Sequence, residues 1–129
     1  QYIENLMKFS PYIEDAVVVG DKRKYLVALI MVDEENCTKY AQTNRIPFST
    51  YADLSQNEQI KGMIEQEVNE VNKKLAKVEQ IKKIATFDKK LKEDDGEVTP
   101  TMKIKRKNIM IKYDKLIDSL YQSQSGDAR

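Results

Sequence analysis

From Tyr25 to Val32 the chain reads Tyr-Leu-Val-Ala-Leu-Ile-Met-Val, an apolar run with no polar interruption. A strand turns alternate side chains to opposite faces, so a run apolar at every position requires cover on both. It is far short of the ~18 residues that a membrane-spanning helix needs. It is therefore expected as the interior strand of a sheet with elements packed above and below. Upstream, Ala16 leads into the β-branched Val17-Val18-Val19, closed by Gly20-Asp21, and the basic turn Lys22-Arg23-Lys24 joins the two runs. The pattern reads as an antiparallel hairpin. Lys82 to Phe87, anchored by Ile84 and Phe87, supplies a third strand.

Helical periodicity fills the rest. Ile3, Leu6 and Met7 share one face of a short helix that Ser10-Pro11 ends, because the residue before proline is pushed out of the α region. Pro11 opens a short turn through Glu14. Asp33 is expected to cap a helix running to Gln42. After an irregular stretch from Thr43 to Asp53, Ser55 and Glu58 have capping-box spacing ahead of a long helix. Its apolar stripe is Ile60, Ile64, Val68, Val71, Leu75 and Val78. This stripe is too short for a sustained heptad array and reads as a core face. Asp88 to Met102 is expected as a loop. Lys103 then opens a final helix with the stripe Ile109, Tyr113, Leu116, Ile117 and Leu120, and residues 122–129 form a disordered tail. These elements make an α+β domain over 1–121, a small mixed sheet of about three strands flanked by helices.

Composition narrows the function. The 129 residues carry a net charge of +1 with 33% charged side chains, which argues against a strongly basic nucleic-acid binder. No histidine is present, so neither a Ser-His-Asp triad, a Cys-His pair nor a histidine metal site can be assembled from this chain. Cys37 is single, which forbids an internal disulfide and makes a reducing compartment the default. It reads as a small apolar residue on a helix. The N-terminus has no basic segment followed by an apolar one, so no signal peptide is expected there. The chain starts within a helical pattern and without methionine, and is expected to be a piece of something longer.

One segment stands apart: Gly96-Glu97-Val98-Thr99-Pro100-Thr101-Met102-Lys103-Ile104-Lys105-Arg106. It follows the acidic Glu93-Asp94-Asp95 and delivers a lysine into a helix start. By charge alone Lys103, Lys105, Arg106 and Lys107 read as a solvated basic face. A cationic cluster at a helix N-terminus opposes the helix dipole, however, which hints at a functional cause.

Taken in order, several segments resemble one family. Tyr2-Ile3-Glu4-Asn5-Leu6, Ser10-Pro11-Tyr12-Ile13 with Ala16 to Asp21, Glu79-Gln80-Ile81-Lys82-Lys83, and Gly96-Glu97 through Lys105-Arg106 resemble the C-terminal domain of AMP-forming acyl-CoA synthetases. That domain is the mobile lid of the adenylate-forming superfamily, and the long-chain fatty acid:CoA ligases are the nearest group. The resemblance covers Tyr2 to Tyr121. Most of the superfamily has Ser-Gly directly before its lysine, where this chain has Thr101-Met102, the variant that the long-chain group shows. The hinge residue and hairpin of the small domain would precede Gln1.

The resemblance implies Lys103 as the catalytic lysine of acyl-adenylate formation, with Gly96, Thr99, Pro100 and Thr101 shaping its loop and Ile104 anchoring it. Lys73 and Lys74, or alternatively Lys22 and Arg23, would meet CoA phosphates. The full-length enzyme would use ATP, CoA, Mg²⁺ and a fatty acid, with a large N-terminal domain of the same chain as partner. This domain alone would be inactive and bind none of these cofactors. It implies no metal ligands here, no nucleic acid, no transmembrane segment and a cytoplasmic setting, with peripheral membrane association as a variant. Two other readings stay open: an adenylate-forming ligase for another carboxylate or acceptor, and a non-catalytic basic interaction module.

Overall fold

The computed structural model describes residues 1–127, with side chains through Gln122. The chain divides into two compact units, Gln1–Lys89 and a second from Lys90 onward. The first contains the whole sheet. Strands β1 (Ile13–Val19), β2 (Leu26–Val32) and β3 (Ile81–Thr86) lie in the order β1-β2-β3. β1 pairs antiparallel with β2, and β3 pairs parallel with it, so the sheet is mixed, as expected. β2 is the interior strand, and its residues from Val27 to Val32 are all buried. A parallel partner needs a long crossover, and residues 33–80 supply it.

That crossover holds α2 (Glu34–Thr43), α3 (Tyr51–Gln56) and α4 (Glu58–Asn72), followed by a 3₁₀ turn at Lys77–Glu79. With α1 (Tyr2–Met7), these helices form one core with Ile13, Ala16, Ala28, Ile30 and Val32 of the sheet. Ile60, Ile64, Val68 and Val71 face this core as anticipated, joined by Met63. Each such side chain contributes about 1.5–3 kcal/mol on full burial. Cys37 is also in this core, fully buried, with its Sγ 3.6 Å from the Tyr12 carbonyl. Burial, with the Asp33 carboxylate nearby, pushes its thiol up to about 12, so it stays protonated and inert. Tyr25, expected in the core, is half-buried.

Several local expectations are corrected. Asp33 caps α2 as read, accepting from the Asn36 N–H at 2.9 Å. Ser55 caps nothing. It is buried within α3, where its carbonyl accepts from Thr86 Oγ1 at 2.6 Å, and Asn57 caps α4 through the N–H groups of Gln59 and Ile60. α4 stops at Asn72, so Leu75 is buried in the connection that follows and Val78 is 87% exposed. The reason is that the Asn72 side chain bonds both the N–H and the carbonyl of Ile81, ending the helix against β3. β1 starts at Ile13, inside the expected turn, with a bulge between Ile13 and Asp15.

Among the described residues, the second unit has no paired strand beyond one antiparallel bridge, Val98 to Ile104. The expected final helix is two helices, α5 (Arg106–Lys112) and α6 (Asp114–Asp127), broken at Tyr113. Of the tail anticipated over 122–129, the backbone through Asp127 continues α6, and the rest lies outside the described residues. Among the described residues, no helix is long and apolar enough to cross a membrane.

Candidate functional site

The segment that carries Lys103 is a hydrogen-bonded hairpin, and the helix expected to open at Lys103 begins only at Arg106. Glu93 to Gly96 form a turn, closed by the Gly96 N–H on the Glu93 carbonyl at 2.9 Å, with Gly96 at φ 73°. That left-handed conformation suits glycine because it lacks a Cβ. The chain then runs outward through Glu97, Val98 and Thr99 and returns through Lys103, Ile104 and Lys105. The rungs are Lys105 N–H to the Glu97 carbonyl (2.9 Å), the Val98–Ile104 bridge, and Thr99 N–H to the Lys103 carbonyl (2.8 Å). Ile104 is half-buried and Val98 buried.

At the tip, the Met102 N–H bonds the Thr99 carbonyl at 2.8 Å, and the Lys103 N–H bonds Thr99 Oγ1 at 3.0 Å. Pro100 and Thr101 hold the central positions, and Met102 follows in the left-handed region at φ 67°. This is the three-residue hairpin loop in which a turn is completed by one left-handed residue, a place glycine usually takes. Thr99 Oγ1 also lies 3.2 Å from Thr101 Oγ1. Lys103 leaves the tip exposed to solvent. Lys105, the N-cap of α5, makes no side-chain cap, and the first turn of α5 contributes no acidic residue beside Arg106 and Lys107 to complement the helix dipole.

Beneath the hairpin lies a residue that sequence reasoning passed over. Glu97 is fully buried. Its Oε1 accepts the Lys92 N–H at 3.0 Å, while Oε2 accepts the Tyr113 hydroxyl at 2.6 Å and lies 2.7 Å from Lys112 Nζ. A buried carboxylate is tolerated only when paired in this way, and removing one partner of such a pair typically costs about 3–5 kcal/mol. Asn108 Nδ2 adds a bond to the Gly96 carbonyl at 2.8 Å. Thus side chains from the middle of α5 and the α5–α6 corner grip the root of the hairpin. In the sequence, Glu97 follows three solvated acids and carries no signal of burial.

The pattern of the AMP-binding enzyme C-terminal domain family matches residues 1–125. The chain belongs to that family. Among its curated relatives are the long-chain-fatty-acid–CoA ligase FadD15 of Mycobacterium tuberculosis and the long-chain-fatty-acid–CoA ligase 6 of Homo sapiens. FadD15 is 32% identical over 123 residues, covering 95% of this chain and 20% of that protein. The human ligase is 33% identical over 122 residues, covering 92% and 17%. The chain therefore spans about a fifth of the length of these relatives. A solved structure of the A-PCP didomain of carboxylic acid reductase from Segniliparus rugosus, in complex with AMP, matches with a TM-score of 0.75 at 17% identity. The match covers 97% of this chain and 16% of that one, and it shows a shared fold.

In this AMP-binding C-terminal domain the other expected residues lie in the first unit. Lys22 and Arg23 sit in the β1–β2 turn, with Lys22 at φ 59° and the Arg23 N–H on the Gly20 carbonyl at 3.0 Å. Lys73 and Lys74 follow α4, and Lys73 lies 2.9 Å from Glu70. All four are exposed. Because Leu26 pairs with Ile81 at the start of both parallel strands, the β1–β2 turn and the connection into β3 emerge at one end of the sheet. Two basic segments that the sequence offered as alternatives are thereby brought to the same end. Among the described residues, no group of three or more acidic or thiol side chains converges as a metal site requires.

Proposed function

We propose that this chain is the lid domain of a long-chain fatty acid:CoA ligase and that Lys103 serves its first half-reaction. In that reaction a fatty-acid carboxylate oxygen attacks the α-phosphorus of ATP. The bond from that phosphorus to the bridging oxygen breaks, and pyrophosphate leaves. Two anions must approach one another, and a fixed ammonium lying between the carboxylate and the α-phosphate oxygens offsets their repulsion without any proton transfer. Lysine suits this work as a compact charge on a long stem. The observation that carries the reading is the hairpin itself. It holds an exposed Lys103 at the end of a short ladder, on a segment whose sequence resembles the family's lysine motif.

In the second half-reaction the CoA sulfur attacks the acyl carbon and AMP departs with the electrons of the carbon–oxygen bond. Lys22, Arg23, Lys73 and Lys74 are proposed to meet the CoA phosphates together, since their segments emerge at one end of the sheet. The names of the curated relatives support a fatty acid as the carboxylate. Mg²⁺ would neutralise triphosphate charge when bound. No step is assigned to a metal held by this chain, since no fitting donor set occurs among its described residues.

The test is Lys103→Ala in the full-length protein. Fatty-acid-dependent ATP–pyrophosphate exchange is expected to fall on the order of 10²–10³-fold, while thioester formation from preformed acyl-adenylate is largely retained. Equal loss of both half-reactions would refute the role.

A further inference from the structure

We infer that Glu97 is the positioning residue for Lys103, an inference that rests on the adenylation role proposed above. All four polar atoms of Glu97 are engaged. Its N–H bonds the Lys92 carbonyl at 3.1 Å, its carbonyl accepts from Lys105, and its carboxylate holds Lys92, Lys112 and Tyr113. The backbone bonds make Glu97 the first rung of the hairpin that ends at Lys103. The side-chain bonds fix that rung to the far end of α5, the helix that the hairpin feeds.

A hairpin root that needed only packing would be served by an apolar residue, as neighbouring Val98 is. A buried carboxylate is a costly choice for stability and a directional one, because each partner must approach along a lone pair. With both oxygens held, rotation of the hairpin about its root would break several charge-assisted bonds at once. The bonds of Thr99 with Met102 and Lys103 fix the turn at the tip, while the bonds of Glu97 fix how that turn is carried on α5. Displacing a positioned group by about 1 Å can cost up to 10²-fold in rate.

The test uses the full-length protein with Glu97→Gln, Tyr113→Phe and Lys103→Ala, and the double variants of each of the first two with the third. Glu97→Gln is expected to lower kcat for ATP–pyrophosphate exchange about tenfold with little change in KM for ATP. Thioester formation from preformed acyl-adenylate should stay within about twofold. In the Lys103→Ala background, Glu97→Gln should cost nothing further, because it acts through a side chain no longer present. Tyr113→Phe, which removes one bond and keeps the ring, should show the same pattern with a smaller loss. It carries the comparison if Glu97→Gln does not fold.

An unchanged exchange rate, equal loss in both half-reactions, or the same fold-loss with and without Lys103 would overturn the inference. Failure of the adenylation role itself is read separately, from the Lys103→Ala single variant.

Discussion

Thr99 and Lys103 are joined twice: the Lys103 N–H donates to Thr99 Oγ1 at 3.0 Å, and the Thr99 N–H donates to the Lys103 carbonyl at 2.8 Å. The hydroxyl does what a backbone carbonyl would do one rung further along the ladder. Thr99→Val keeps the shape and removes this acceptor, leaving the Lys103 N–H to water. Stability is expected to fall by about 1 kcal/mol, with a larger proportional loss in ATP–pyrophosphate exchange than in thioester formation. Thr99→Ser should restore most of both. Equilibrium unfolding beside the two half-reaction assays separates these outcomes.

Met102 occupies a left-handed position that a three-residue hairpin normally gives to glycine. Met102→Gly relieves about 1 kcal/mol of steric cost but gives the unfolded chain more freedom, so the two terms nearly cancel. Met102→Val adds a β-branch where φ is positive and should destabilise by at least about 1 kcal/mol relative to Met102→Gly. Denaturant midpoints of the two variants check the ordering, and an equal or more stable valine variant would contradict the loop geometry.

Asn72 ends α4 by exchanging two hydrogen bonds with the backbone of Ile81, at 2.8 and 3.0 Å. Asn72→Ala leaves one N–H and one carbonyl on β3 without this partner, and a loss of about 1–3 kcal/mol is expected. Asn72→Asp keeps the acceptor for the Ile81 N–H but faces the Ile81 carbonyl with another oxygen, so it should rescue only in part. Thermal unfolding of the three proteins gives the order.

Asp15 is held above the ordinary carboxylate range, chiefly by burial and also by the Glu4 carboxylate. The Ala16 N–H and the Lys8 ammonium, 3.9 Å away, pull the other way. The folded state thus binds this proton more readily than the unfolded chain. Its contribution to stability rises as pH falls through the raised value and is unfavourable at neutral pH. Asp15→Asn keeps an acceptor for Ala16 and loses the charge. It should stabilise the protein at pH 7, with the gain shrinking as pH approaches 4, as unfolding midpoints over that range would show.

The strands were legible because β2 is apolar at every position, a pattern with few solutions, and the Asp33 cap was legible because its partner is local. Features decided by distant contacts were not. Ser55 and Asn57 are both acceptable caps by sequence, and the choice falls to Asn57 because Ser55 is drawn into the core beneath Thr86. The stripe Ile109, Tyr113, Ile117 has unbroken helical spacing, yet the helix breaks at Tyr113, whose hydroxyl is committed to Glu97. The lysine segment was legible as a motif and not as a hairpin, since nothing in Thr-Pro-Thr-Met announces a left-handed methionine. Glu97 was hidden for the same reason: the side chains that meet its carboxylate, Lys112 and Tyr113, lie 15 and 16 residues away.

Glu4, on α1, accepts the N–H of Val18 at 2.7 Å. β1 is an edge strand, and this N–H faces away from β2. An exposed strand edge invites pairing with a strand from another molecule. The acceptor that α1 supplies occupies one of the positions such a visitor would need, so the helix also acts as a guard against self-association through the sheet.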